Sequence, residues 1–88
     1  MAQRPEDFPV VYCNLVRITH ASLEFLLDFK RLSPEHREVD SAPTIVRVVL
    51  NPVHAKAFRE ALVENVKRYE KQFGEIPAPP KGASTVVH

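Results

Sequence analysis

An α+β fold follows from two features of this chain of 88 residues. Two successive stretches, 10–19 and 23–32, alternate apolar and polar residues at a period of two. A later stretch, 51–76, repeats apolar residues at helical spacing and is marked at both ends. With a β-branched run at 43–50 between them, the order is βββα. The expected architecture is an antiparallel three-stranded meander followed by one long C-terminal helix packed on one face, in two layers, with room for a fourth short strand in 33–42.

Residues 1–9 are polar, contain Pro5 and Pro9, and are expected to form a flexible arm before a single domain over 10–76. The first strand places Tyr12, Asn14, Val16 and Ile18 on one side, and Val11, Cys13, Leu15 and Arg17 on the other. The second has a wholly apolar face of Leu23, Phe25, Leu27 and Phe29. A four-residue loop, 19–22, would set Ile18 against Leu23, Val16 against Phe25 and Arg17 against Glu24, so that like meets like and opposite charges meet. The third strand adds Val46, Val48 and Leu50 to the Phe25 face, and Ile45, Arg47 and Val49 to the other.

The helix is the most strongly marked element. Asn51 is a favoured N-cap and Pro52 suits the first helical position. Phe58, Leu62, Val66, Tyr69 and Phe73 follow at steps of four or three, along a rod of roughly 33 Å. Gly74 and Pro77 close it, and Lys67, Arg68 and Lys71 suit the negative end of the helix dipole. The remaining residues, 77–88, are rich in proline and small side chains and are expected to be a flexible tail.

Tyr12-Cys13-Asn14, Glu24-Phe25 with Asp28-Phe29, Arg47-Val48-Val49 leading to Pro52, His54-Ala55-Lys56, then Leu62, Asn65, Tyr69-Glu70, Phe73-Gly74 and Ile76 form a spaced pattern. On these residues the chain resembles the uncharacterised bacterial domain-of-unknown-function family three-four-six-seven, over about residues 10–76. Asn51 and Lys30 depart from the serine and the small residue of that pattern, though Asn51 still caps a helix. The resemblance implies a small bacterial protein with these fold boundaries, and it implies no activity.

Composition limits the function. A formal charge of +1 gives no general attraction to nucleic acid or membrane. The single cysteine allows no internal disulfide, and no apolar run approaches the roughly 20 residues that span a bilayer. A cytoplasmic protein is expected. Cys13, His20 and Asp28 would be the parts of a cysteine nucleophile, but the expected register sets Cys13 beside Asp28, and a carboxylate disfavours the reactive thiolate. His20, His36, His54 and His88 lack metal-ligand spacing. Glu24 and Asp28 share a face with Arg17 and Arg47, which favours an ion-pair network over acid–base chemistry. The chain is therefore read as no enzyme, with no cofactor and no metal.

Asn14 and Asn65, with the hydroxyls of Tyr12 and Tyr69, are expected to form a buried polar set between helix and sheet. One helix covers one sheet face, which leaves Val11, Cys13, Leu15, Leu26, Ile45 and Val49 on the other. A domain this small gains from a further partner surface. That face is expected to bind a second copy in a homodimer or higher oligomer. The function expected is a homo-oligomeric interaction or scaffold protein that binds another polypeptide through its sheet face or edge. The alternative is a dimer binding single-stranded nucleic acid through a patch of Arg17, Lys30, Arg31 and Arg47.

Overall fold

The computed structural model describes residues 7–35, 38–78 and 86–87. It contains the three antiparallel strands and the C-terminal helix that the sequence predicts: β1 (Leu15–His20), β2 (Phe25–Lys30), β3 (Thr44–Leu50) and α1 (Pro52–Phe73). A two-residue strand, β4 (Val86–Val87), pairs parallel with β1, giving the sheet order β3-β2-β1-β4. The fourth strand thus comes from the tail expected to be flexible. The connection 31–43, where a strand had room to form, instead carries a 3-10 turn at Val39–Ser41, closed by the Ser41 hydroxyl and amide on the Glu38 carbonyl. Residues 1–6, most of the expected N-terminal arm, lie outside the described chain.

Both strands of the hairpin are shorter than the alternation suggested. The hairpin closes through Ala21–Glu24, with the Ala21 amide donating to the Glu24 carbonyl at 2.9 Å. Its register pairs Val16 with Phe29, Ile18 with Leu27 and Arg17 with Asp28. That is four residues from the expected pairing. An even slip keeps every side chain on its face, so the apolar pattern alone does not choose between the registers. Contacts do: the His20 ring lies 5.4 Å from that of Phe25, while Leu23 is left in the turn, 82% exposed. Cys13 precedes β1 and is not opposite Asp28.

The two sheet faces are treated differently. Connection 31–43 folds over the face that carries Leu15, Asp28 and Lys30, and these are buried together with Ala42. Leu15 is 1% exposed. The other face carries Ile18, Phe25, Leu27, Val46, Val48 and Leu50 and was expected to lie under the helix. It does not. No residue of the 22 in α1 is buried, and the helix meets the sheet chiefly through its first turns beside β3.

The reason lies in the junction. Strand β3 ends at Leu50 and α1 begins at Pro52, so a single residue connects them. Strand-to-helix connections that fold a helix back onto its sheet use two to six residues. Asn51 is extended, with φ −72° and ψ 163°, and proline fixes the next φ. The chain has no length in which to reverse, and the helix diverges from the sheet as one arm of a V.

Both helix ends are as expected. Asn51 Oδ1 accepts the His54 amide at 2.8 Å. Gly74, at φ 101°, donates its amide to the Glu70 carbonyl at 2.9 Å, in a backbone conformation that side chains with a Cβ disfavour.

Two substitutions test where the chain's own core lies. Leu15→Ala is expected to lower unfolding stability by about 3 kcal/mol, read by urea denaturation. Leu23→Ala, in the exposed turn, is expected to stay within about 0.5 kcal/mol of the parent.

Candidate interaction surface

An apolar cleft lies between the sheet and the first turns of the helix. Ile18, Phe25, Leu27 and Leu50 line it from the sheet, and Ala55, Phe58 and Leu62 from the helix, around a cleft of about 460 Å³. Lys56 and Arg59 stand at its margin. Beyond the cleft the helical stripe continues as Val66, Tyr69 and Phe73, and the Tyr69 and Phe73 rings lie 5.0 Å apart. From Phe58 to Phe73 the five large residues of the stripe are between 37% and 66% exposed.

The residues expected to meet a second copy occupy the opposite sheet face, and one is removed from that role. Leu15 is buried within its own chain, 1% exposed. Val11, Ile45 and Val49 are exposed, and Cys13 and Leu26 are half-buried.

The expected buried set of Tyr12, Asn14, Asn65 and Tyr69 is not assembled. All four are exposed in the chain, because the helix that would have brought Asn65 and Tyr69 to the sheet points away from it. Asn14 instead serves the backbone: its Nδ2 donates to the Leu32 carbonyl at 2.9 Å and its Oδ1 accepts the Leu32 amide at 2.7 Å. The side chain thus continues the hairpin ladder past the end of β1. Asn65 Nδ2 donates to the Ala61 carbonyl one turn back, at 2.9 Å.

The four cations proposed as a basic patch each have a partner within the chain. Arg47 grips Asp28 through two parallel hydrogen bonds, Nε to Oδ1 at 2.6 Å and Nη2 to Oδ2 at 2.9 Å. Arg17 pairs with Asp40 of the connection. Lys30 is buried and its Nζ donates to the Ala42 carbonyl at 3.2 Å. Arg31 donates to the Tyr12 carbonyl at 2.9 Å, with its guanidinium 5.7 Å from the centre of the Tyr12 ring. These contacts tie the connection and the N-terminal approach to the sheet. The register that brings them together was hidden in the sequence, although the acid–base complement of this face was visible there.

Asp28 is the electrostatic centre of that face. The hydrogen bonds from Arg47 hold its carboxyl below the usual carboxylate range, against desolvation that pushes it up. The positive charges of Arg47, Lys30 and Arg17 act in the same direction as the hydrogen bonds. Arg47 in turn is raised above its ordinary value by the same bonds.

A family model described as "Protein of unknown function (DUF3467)" matches residues 2–78. No curated protein and no solved structure matches the chain.

The depressed Asp28 carboxyl fixes the sign of a pH effect. On acidification the unfolded carboxyl takes its proton first, near its ordinary value of about 3.9, and the folded one only at lower pH. The stability that Asp28 contributes is therefore complete above about pH 4 and is lost as pH falls through the folded value. Asp28→Asn is expected to be less stable than the parent at neutral pH and to lose less stability on acidification below about pH 4, read by thermal unfolding across that range.

Proposed function

The chain belongs to the DUF3467 family, whose description assigns no activity, and we propose that it is a non-enzymatic homo-oligomeric interaction protein, with the homodimer as its working form. The observation that carries this reading is the helix without a buried residue. Burying each large apolar side chain of its stripe would contribute about 2 kcal/mol, and among the described residues no surface does so. A second copy offers the missing surface at no cost in new sequence, and self-association is the usual answer for a domain of this size.

The same reading gives the sheet a second role. β3 is the outer strand in the order β3-β2-β1-β4. Its outer edge has no strand partner among the described residues, and six of its seven residues are exposed. An extended segment of another polypeptide would add there by backbone hydrogen bonding. A bacterial cytoplasmic setting belongs to the proposal as well, supported by the single cysteine, which leaves the domain without an internal disulfide. No helix among the described residues is long and apolar enough to cross a membrane.

Sedimentation equilibrium of the full chain at micromolar concentration tests the reading. The expected mass is twice the 10.0 kDa of one chain; a single species at the monomer mass would overturn it.

A further inference from the structure

We infer that the V-shaped cleft is filled by helix α1 of a second copy, the two helices lying antiparallel about a two-fold axis at the level of Glu64. This rests on the homodimer reading and specifies its geometry. The apolar stripe is suited to meeting itself in reverse. With Glu64 level with its own counterpart, Ala55 comes beside Phe73 of the partner subunit, a small side chain against a large one. Phe58 comes beside Tyr69 of the partner subunit and Leu62 beside Val66 of the partner subunit. The C-terminal half of each helix, which projects past its own cleft, then enters the cleft of the other copy and covers the half-buried Ile18 and Phe25.

Charge supports the same orientation. At 100° per residue, Arg59 and Glu70 fall on the same flank of the stripe. In an antiparallel pair that flank meets its own copy, so Arg59 of each chain approaches Glu70 of the partner subunit, twice per dimer. Among the described residues Arg59 makes a loose 3.8 Å approach to its neighbour Glu60. Glu70 uses Oε2 to accept the Ile76 amide at 2.9 Å, and its other carboxylate oxygen can accept a cross-chain bond.

Phe58, Leu62, Val66, Tyr69 and Phe73 are between 37% and 66% exposed, an apolar contribution toward the roughly 800 Å² on each partner that a specific, stable interface buries.

The test exchanges the two flank charges in the full chain and reads the dimer dissociation constant by sedimentation equilibrium, with circular dichroism as the check on folding. Arg59→Glu and Glu70→Arg alone are each expected to raise the dissociation constant about tenfold, since each sets like charges against each other at two places. The double variant is expected to return to within about threefold of the parent. It retains any loss from the Ile76 contact, so its recovery reports the cross-chain pair. A parent dimer indifferent to all three changes, or a double variant no tighter than the singles, would overturn the helix pairing and leave the homodimer standing. A parent that stays monomeric would remove both. If that monomer also bound the apolar anion anilinonaphthalene sulfonate in its cleft, a small-molecule occupant would replace the second helix.

Discussion

A helix in water gains one hydrogen bond for each residue it fixes, and that gain barely offsets the ordering of the chain. Most helical stability in proteins comes instead from the apolar surface against which the helix lies. Residues Pro52–Phe73 carry a stripe suited to such a surface, yet the helix leaves the sheet at once and buries none of them. Strand β3 and helix α1 share a single connecting residue. Because that link is too short to turn back, the inner faces of sheet and helix stay open to each other and to water.

The opposite sheet face is closed by the chain itself. The connection after β2 buries Ala42, receives Lys30 on the Ala42 carbonyl and offers Asp40 to Arg17. Asp28, almost fully buried, is held by the Arg47 fork. A buried carboxylate missing these donors would be strongly destabilising, so the ion pair specifies how the connection must lie more than it adds stability. The sheet therefore has one face stapled by polar contacts, with Ile45 and Val49 left exposed, and one apolar face that buries Leu27 and leaves Val46 and Val48 exposed. The proposed dimer therefore uses the exposed helix stripe, whereas the sequence had suggested the side of Leu15 and Val49.

Much of the fold was legible in the residues. The Asn51 cap, Pro52, the four-and-three spacing and Gly74 mark both helix ends, and Val16, Ile18, Phe25 and Leu27 lie on the expected face. The hairpin register was not legible, because a slip of four preserves the face of every side chain and only the neighbours distinguish the two pairings. Nor does a lysine in a strand announce that it will be buried; Lys30 is, because the Ala42 carbonyl waits for it across the loop. The open V was the costliest omission. Its signal lies at the junction, where Leu50 runs into Asn51 and Pro52 with no loop residues between; the apolar stripe encodes what the helix can cover and not what the junction lets it reach.

Amide hydrogen exchange, followed over a range of protein concentrations alongside sedimentation, bears most directly on the dependence of the helix on a second chain. Protection of the amides from Phe58 to Phe73 should rise with concentration in step with dimer formation, while those of β2 change far less. Strong protection of the helix that does not vary with concentration, in a species sedimenting at the mass of one chain, would contradict the account.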